Sequence, residues 1–395
     1  MSLADIERLG SIARKADRRI VGLMSGTSLD GLDVAVCTVT GAGLKTKVTL
    51  DAFTTIPYSA EFKERVLASF ARKTVELCEL TVLNAVIGRQ HAALIDQALR
   101  SFGIERSSID LIASHGQTIY HAPHSLHGRD GEPNATLQLG DGDHIAYGLG
   151  IITVSDFRQK SVAAGGEGAP LAAYGDVLLF ADEKEPRCLL NMGGIANLTY
   201  LPAGNSIEGR AFSSDIGPGN TLMDAFMRQH FGRPYDADGR VAALGQVIGA
   251  LLERLLQDPF IALPFPKTTG PEHFSLEWFE AHRAAFSTKP KDAMATLNAF
   301  SARTIADGVR HAMPEGAVIA SGGGIHNRLL MGNIKAALPG YRFTTTEAFG
   351  IDPDAKEAVL FALLANELIG GDPDFFRGRI AGAPAVTMGK ISLPG

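Results

Sequence analysis

The order of predicted elements is the same in both halves of the chain, and this duplication restricts the folds that the chain can adopt. In the first half, the predicted elements are strands at 19–24, 33–39 and 48–56, helices at 60–70 and 81–102, and short buried strands at 110–114 and 151–154. Apolar runs bounded by turn residues indicate the strands, and apolar residues at helical spacing indicate the helices. Three successive strands predict an antiparallel meander.

The second half repeats this order. Its predicted elements are a strand at 187–192, a GGIAN turn with the partner strand LTYL, helices at 240–257, 326–338 and 355–369, and a buried strand at 317–321. Gly and Pro predict a loop at 264–274 and an irregular tail at 370–395. A chain of 395 residues is long enough for two or three domains. We therefore expect two α/β domains with the same order of elements.

The composition excludes several classes of protein. The net charge of -6 does not suit a nucleic-acid-binding chain, although a local basic groove is still possible. No apolar run approaches the roughly 18 residues that span a bilayer, and the charged N-terminus does not resemble a secretory signal. Three distant cysteines without a CxxC argue against a zinc module and fit a reducing compartment. We expect a cytoplasmic protein without a nucleic-acid or membrane partner.

Four glycine turns follow predicted strands, at 25–31, 165–170, 215–220 and 321–324. Glycine allows the backbone to approach a ligand, and the N–H groups of such a turn can face an anion. One such turn alone would indicate only a tight turn or a helix cap, but four of them after predicted strands, in both halves of the chain, favour phosphate binding. The chain contains neither a Walker P-loop nor a nicotinamide fingerprint.

Four carboxylates are placed for phosphoryl-transfer chemistry. Asp30 and Asp33 could hold Mg²⁺ through water, as suits a hard cation. Asp215 ends a strand directly before Gly217 and could act as a base, or it could cap the following helix. Glu357 begins the last helix, where a carboxylate suits the helix dipole or is simply solvated.

Five further polar residues are candidates for ligand contacts. His115 and Gln117 follow a buried strand and could bind polar ligand groups. Arg158 or Lys160 could hold an anionic group, or form a surface salt bridge. Lys267 lies in a loop, where it could contact phosphate or remain solvated.

The motifs together resemble those of a known family. The chain contains, in order, MSGTSLDGLDVA, SHGQTIYHAP, TLQLGDG, DFRQK, GGEGAPL, NMGGIANLTYL, DIGPGNTLMDA, YDADG, PKTTG, SGGGIHN and GIDPDAKEA. This series resembles the anhydro-N-acetylmuramic acid kinases, from about residue 21 to 367. The resemblance implies two ribonuclease-H-like (actin-like ATPase) α/β domains around a central nucleotide cleft. We expect the first domain at 1–156, with 355–395 packing back on it, and the second at 157–354.

The resemblance also implies roles for individual residues. The expected nucleotide-binding residues are Gly26, Thr27, Ser28, Leu29, Asp30, Gly31, Leu32, Asp33, Gly217, Gly219, Asn220, Lys267, Gly322, Gly323, Gly324 and Asn327. The expected sugar-binding residues are His115, Gln117, Arg158, Lys160 and Gly166. Asp30 and Asp33 are the expected metal residues.

The implied reaction uses ATP and Mg²⁺. ATP phosphorylates O6 of 1,6-anhydro-N-acetylmuramic acid while water opens the anhydro bridge at C1, which gives N-acetylmuramic acid 6-phosphate and ADP in cell-wall recycling. By resemblance Asp215 is the base that activates the water, and Glu357 helps to position it. Family members also suggest a possible homodimer.

Three residues depart from the family pattern, namely Ser161, Glu167 and Ser214. The family usually has Asp, Gln and Phe there, close to the expected sugar site, so another 1,6-anhydrosugar such as levoglucosan is an alternative substrate. Two further alternatives are a nucleotide-binding switch with slow ATP hydrolysis and a phosphohydrolase of the same superfamily.

Overall fold

A computed structural model describes residues 3–26, 29–169, 171–204, 210–270, 272–352 and 354–395. Contacts divide the chain into two compact units. The first unit is Met1–Leu179 with Gly350–Gly395, and the second unit is Phe180–Phe349.

The strands are β1 Asp17–Ser25, β2 Gly31–Thr40, β3 Lys47–Pro57, β4 Leu111–Ala122, β5 Ala135–Leu139, β6 Thr153–Ser155, β7 Arg187–Met192, β8 Ile195–Leu201, β9 Phe212–Pro218, β10 Ala317–Ser321, β11 Arg342–Thr345 and β12 Lys390–Ser392. The helices are α1 Leu3–Ala13, α2 Ala60–Leu67, α3 Leu77–Phe102, α4 His124–His127, α5 Gly142–Leu149, α6 Phe157–Ala163, α7 Ala172–Phe180, α8 Thr221–Phe231, α9 Gly249–Leu256, α10 Leu276–Arg283, α11 Pro290–Ala312, α12 Arg328–Ala337 and α13 Lys356–Gly370. Short 3-10 helices lie at Gly43–Lys45, Arg106–Ser108, Ala237–Gly239, Ala242–Leu244, Gly323–His326 and Thr346–Phe349.

The two units share one sheet topology. In the first unit the strand order is β12-β6-β4-β1-β2-β3, with β5 paired to β4, and in the second unit it is β11-β10-β7-β8-β9. The first three strands of each unit are antiparallel neighbours. In the first unit β4 pairs in parallel with β1, and β6 pairs in parallel with β4. In the second unit β10 pairs in parallel with β7, and β11 pairs in parallel with β10. The predicted α/β duplication, the meander of the first half and the hairpin of the second half are therefore confirmed.

The parallel strands place the functional turns at one edge of each sheet. The starts of β4 and β10 are buried on both faces, which explains their continuous apolar sequences. In the first unit β1, β4 and β6 are parallel neighbours, so the segments that follow them lie at the same sheet edge. In the second unit β7 and β10 similarly bring the turns at 193–194 and 322–324 to one edge.

The predicted boundary at 156/157 is not where the contacts divide the chain. Helices α6 and α7 belong to the first unit, because their residues bind its C-terminal segment. The Tyr174 hydroxyl donates to the Pro384 carbonyl at 2.9 Å, and Asp176 pairs with Lys356 at 2.8 Å.

Three element predictions need correction. The helix predicted at 240–257 is a 3-10 turn followed by the shorter α9, because the Asp236 carboxylate binds the Val241 and Ala242 amides. The tail predicted to be irregular contains β12, which pairs with β6. The short strand predicted at 110–114 is the start of β4, which continues to Ala122 because it pairs with β5. None of the described helices is both long and apolar enough to cross a membrane.

Candidate functional site

The first glycine turn joins β1 to β2 in the first unit. Leu29 adopts a left-handed φ of 57° and its amide donates to the Gly26 carbonyl at 3.3 Å. A side chain at Gly31 would collide with the Ile56 carbonyl. Thr27 and Ser28, both predicted to bind phosphate, lie outside the described residues.

The side chains of Leu29 and Leu32 are at most 1% exposed and belong to the core of the first unit. Their predicted nucleotide contact could therefore come only from the backbone. Burial of these two leucines fixes both flanks of the turn, since each side chain packs among the apolar residues beneath it.

Asp30 and Asp33, the predicted metal residues, differ in their surroundings. Asp30 is exposed, whereas Asp33 is half-buried and accepts a hydrogen bond from the Thr55 hydroxyl at 2.6 Å. Burial, opposed by this bond and assisted by the charge of Asp354, raises the pKa of Asp33. Within the described ranges, no group of three or more His, Cys, Asp or Glu residues could hold a metal ion.

A cavity of about 350 Å³ in the first unit contains two of the predicted residues, Arg158 and Glu357. The Arg158 Nε–H donates to His115 Nε2 at 3.0 Å, and its Nη1 donates to the Gly168 carbonyl at 2.7 Å. Burial lowers the pKa of Arg158, and the Glu357 carboxylate opposes this shift. Glu357 is exposed in the first turn of α13. The cavity thus pairs a fixed guanidinium with an accessible carboxylate.

His115 and Gln117 were predicted to bind the sugar, but both are buried, at 2% and 1% exposure. Burial is the main cause that lowers the pKa of His115, to about 3, so its ring is neutral and can accept the Arg158 hydrogen bond. The Gln117 amide binds the Ser25 hydroxyl and two backbone carbonyls. These bonds hold neighbouring groups in place. His115 also lines a separate cavity with Gly140 and Asp156, and the sugar contacts of His115 and Gln117 stay predictions.

Lys160 and Gly166 lie near Arg158 in sequence. Lys160 is exposed on α6. Gly166 is buried, its carbonyl accepts from the Asn134 side chain at 3.2 Å, and a side chain there would press on Ser161 and Pro384. Ser161, which departs from the family pattern, is itself buried at 4% exposure, so the departure lies on the buried side of α6 next to Gly166.

The glycine turn at 215–220 lies at the end of β9 in the second unit. The amides of Gly219 and Asn220 donate to the carbonyls of Gly194 and Gly193, each at 2.9 Å. A side chain at Gly219 would collide with the Gly193 carbonyl. The expectation that these two amides face a phosphate is therefore corrected, because the glycine turns at 193–194 and 217–220 bind each other.

Asp215 is half-buried near the end of β9. Its Oδ2 accepts from the Thr269 amide at 2.9 Å, and its own amide donates to the Lys267 carbonyl at 2.9 Å. Ser214, the departure from the family pattern, accepts from the Lys267 amide at 2.9 Å. The segment 267–269 therefore lies along β9 and holds this carboxylate through a main-chain bond. Asp215 is a strand residue three positions before the Pro218 end of β9, so it does not cap α8.

Lys267 does not extend toward open solvent. Its Nζ donates to the carbonyls of Phe260 and Ile261, both at 2.9 Å, and lies 4.5 Å from the centroid of the Phe260 ring. Burial lowers the pKa of Lys267. These contacts give the side chain a structural role, and the predicted phosphate contact has no support.

A cavity of about 400 Å³ in the second unit brings together three predicted nucleotide-binding residues, Asn220, Gly323 and Asn327. Asn327 caps α12 by accepting from the Leu330 amide at 3.0 Å. Gly322 has a left-handed φ of 81°, and a side chain at either Gly322 or Gly324 would press on Met192. The turn after β10 thus needs glycine to pack against the end of β7.

Sequence reasoning missed several residues of these cavities. In the second unit, Asp224 and Tyr235 line the same cavity as Asn327. Burial raises the pKa of Asp224, and the Tyr235 ring is 60% exposed. In the first unit, the cavity of Glu357 also includes Met24 and Asp176. Tyr235 begins the YDADG motif and Met24 begins the MSGTS motif. These two motifs were the sequence signal that could have identified both residues.

Comparisons with known proteins give one consistent family. A family model for anhydro-N-acetylmuramic acid kinase matches residues 18–392. A protein of that name from Pseudoalteromonas atlantica is 51% identical, covering 98% of this chain and 99% of its own. One from Pseudoalteromonas translucida is 49% identical over 98% of both chains. One from Caldanaerobacter subterraneus is 38% identical, covering 98% of this chain and 100% of its own.

Proposed function

Since the chain belongs to the anhydro-N-acetylmuramic acid kinase family, we propose that it converts 1,6-anhydro-N-acetylmuramic acid and ATP into N-acetylmuramic acid 6-phosphate and ADP. The observation that carries this proposal is the family match over residues 18–392, which includes Asp215 and Glu357. Opening of the anhydro bridge and transfer of the phosphoryl group belong to one turnover. The product would serve the reuse of cell-wall sugars.

Asp215 is the proposed general base. Its carboxylate removes a proton from water, the water oxygen bonds to C1, and the C1–O6 bond breaks. The released O6 attacks the γ-phosphorus, and the bond to the ADP oxygen breaks. The main-chain bond from Thr269 to Oδ2 supports this role, because it fixes the orientation of the carboxylate before substrate arrives.

Glu357 is proposed to orient the attacking water, and Arg158 to bind a polar or anionic group of the sugar. Their common cavity of about 350 Å³ has a size suited to a small ligand. Arg158 is fixed by His115 and Gly168, so it presents its remaining N–H groups from a defined position.

The nucleoside of ATP is proposed to bind in the cavity formed by Asn220, Gly323 and Asn327. The exposed Tyr235 ring offers a stacking surface, and Asp224 offers a hydrogen-bond acceptor. Asn220 itself is held by the Met192 carbonyl, to which its Nδ2 donates at 3.1 Å.

Mg²⁺ is the proposed cation. The chemistry of Asp33 fits it, because burial and the charge of Asp354 disfavour the free carboxylate that a cation would stabilise. When bound, Mg²⁺ would offset the negative charge of the phosphates. Asp33 would contribute to its binding, with Asp30 as the exposed neighbour.

The proposed setting is the cytoplasm. Cys37, Cys78 and Cys188 are all free thiols, which fits a reducing compartment. The homodimer suggested by the resemblance stays a prediction, and light scattering of the purified protein would measure it.

The test is turnover with a panel of anhydrosugars, ATP and Mg²⁺ in ¹⁸O-water, followed by mass spectrometry. We expect a 6-phosphosugar with one ¹⁸O at C1 and an equal amount of ADP. Asp215→Asn should lower kcat by about 10³-fold while nucleotide affinity is retained. Wild-type turnover in this variant would exclude Asp215 as the base.

The same panel separates the alternatives. Preference for levoglucosan would change the assigned sugar and leave the kinase chemistry intact. Equal ADP release with and without sugar would favour a nucleotide-binding switch. Release of inorganic phosphate without any phosphosugar would favour a phosphohydrolase.

A further inference from the structure

Four buried polar side chains lie beneath the first glycine turn and none of them has a role in the proposed chemistry. Ser25, Tyr58, His91 and Gln117 are each 5% exposed or less. They come from the end of β1, the residue after β3, the middle of α3 and the middle of β4. Burial of polar groups is costly unless they are hydrogen-bonded, and these four bind one another.

The hydrogen bonds among them run in one direction. The Ser25 hydroxyl donates to Gln117 Oε1, and the Tyr58 hydroxyl donates to Ser25 Oγ at 2.8 Å. Tyr58 has only one hydroxyl proton, so His91 Nε2, 3.0 Å away, must donate to the Tyr58 oxygen. These bonds therefore form a hydrogen-bond network that runs from His91 through Tyr58 and Ser25 to Gln117.

The hydrogen-bond network and the main chain of Tyr58 hold the two ends of the first glycine turn. At one end, the Gln117 Nε2 donates to the Gly26 carbonyl at 3.4 Å and to the Thr118 carbonyl at 3.3 Å. At the other end, the Tyr58 amide donates to the Asp30 carbonyl at 3.4 Å. Tyr58 thus contacts Ser25, where the turn begins, through its hydroxyl, and Asp30, near the end of the turn, through its main-chain amide.

The hydrogen-bond network keeps the same arrangement of donors and acceptors at neutral pH. Burial lowers the pKa of His91 to about 4, so the ring is neutral. Burial, opposed by the Ser25 bond, raises the pKa of the Tyr58 hydroxyl, so it keeps its proton. Neutral groups with fixed donors and acceptors form a rigid connection, because reversing one bond would leave another group unpaired.

We infer that His91, Tyr58, Ser25 and Gln117 are positioning residues that fix the main chain where the first glycine turn begins, at Ser25 and Gly26, and so support phosphate binding by that turn. This inference rests on the proposed function, because it assigns the turn at 26–31 to phosphate. The four side chains do not touch the ligand. They act through the Gly26 carbonyl, which accepts from Gln117, while the Tyr58 main chain holds the Asp30 carbonyl at the other side of the turn.

The test is Tyr58→Phe, which removes one hydroxyl and keeps the ring that packs 4.7 Å from Phe62. We expect kcat to fall by about 10-fold, with less than a 3-fold change in the KM for sugar. The matched control is Tyr341→Phe in the second unit, which loses hydroxyl bonds to the Met313 and Pro314 carbonyls. This control should retain wild-type kinetics.

His91 allows a rescue experiment. His91→Gln replaces the imidazole N–H with an amide N–H that can still donate to Tyr58, whereas His91→Leu removes the donor. We expect His91→Gln to retain at least one third of the wild-type kcat and His91→Leu to match Tyr58→Phe. Equal kcat values in the two His91 variants would overturn the inference.

Amide hydrogen exchange gives a readout that does not depend on turnover. Peptides covering 20–33 should exchange faster in Tyr58→Phe than in the wild type or in Tyr341→Phe. Unchanged exchange and unchanged kcat in Tyr58→Phe, with an active wild type, would overturn the inference and leave the proposed function intact. An inactive wild type would instead refute the proposed function. The exchange rates of Tyr58→Phe and the wild type would still decide whether the hydrogen-bond network fixes the turn.

Discussion

At the scale of single residues, the two buried imidazoles make the stability of the protein depend on pH. Burial lowers the pKa of His91 to about 4 and is the main cause that lowers that of His115 to about 3, from an ordinary value of 6.5. The unfolded chain therefore binds protons between pH 6.5 and 4 that the folded chain does not bind. Stability is complete above pH 6.5 and falls as the pH drops through this window.

We predict that unfolding in urea will require less denaturant at pH 5 than at pH 7.5. Each imidazole should contribute roughly 2 kcal/mol to this difference. In His91→Gln, which has no titrating ring, the difference should be smaller by about that amount. An identical pH dependence in this variant would show that His91 titrates alike in both states.

Glu357 gives a prediction about chemistry. We expect Glu357→Gln to lower kcat by about 10²-fold, because a neutral amide holds the attacking water less firmly than a carboxylate does. Nucleotide affinity, measured by calorimetry with ADP, should be unchanged. Glu315→Gln changes another exposed carboxylate, in the second unit, and should be neutral. Full activity of Glu357→Gln would leave Glu357 as a solvated helix residue.

At the scale of elements, the close packing of α13 on β1 determines a residue in the strand. A side chain at Gly22 would collide with the main chain of Ala358 in α13. We predict that Gly22→Ala will destabilise the protein by about 3 kcal/mol in urea unfolding, because the helix must move away from the sheet. Gly332→Ala in the exposed face of α12 meets no atom within 4 Å and should stabilise the protein by about 0.5–1 kcal/mol. A neutral Gly22→Ala would contradict this packing argument.

Sequence patterns predicted the elements that local burial determines, and failed where distant contacts decide. The meander strands and the buried parallel strands carry their own apolar periodicity. In contrast, the single helix predicted at 240–257 is interrupted by contacts with α11. The Ile248 amide donates to the Thr296 hydroxyl, and Gly245 packs so closely on Lys291 that a side chain there would collide with it. The short β12 exists only because β6 offers it an edge. Neither partner is near in sequence.

The candidate site was predictable to the same extent. Motif spelling identified Arg158, Glu357 and Asn327, which do line cavities. It could not distinguish a ligand contact from a support, so it gave Gln117 and Lys267 ligand roles although their polar atoms are bound to protein carbonyls. That distinction depends on which side chains tertiary packing removes from solvent.

At the scale of the whole molecule, the chain leaves the first unit at Leu179 and returns to it at Gly350. The returning segment contributes α13 and β12, and Lys390 of β12 forms an ion pair with Asp156 after β6. The first unit is therefore built from both ends of the sequence.

We predict that deleting residues 390–395 will weaken the first unit alone. Amides of β6 should exchange faster because they lose the pairing with β12, while amides of β7 to β9 should keep their exchange rates. Faster exchange across both units would show that loss of β12 acts on the whole chain.

The ends of the second unit lie side by side. The rings of Phe180 and Phe349 are 5.2 Å apart in an edge-to-face contact, and Arg187 donates to the Phe180 carbonyl at 2.9 Å. The second unit thus begins and finishes at one place, as an insertion does. During translation, all of its residues leave the ribosome before α13 and β12 do. The second unit can close its sheet on the nascent chain, whereas the first must wait until α13 and β12 are synthesised.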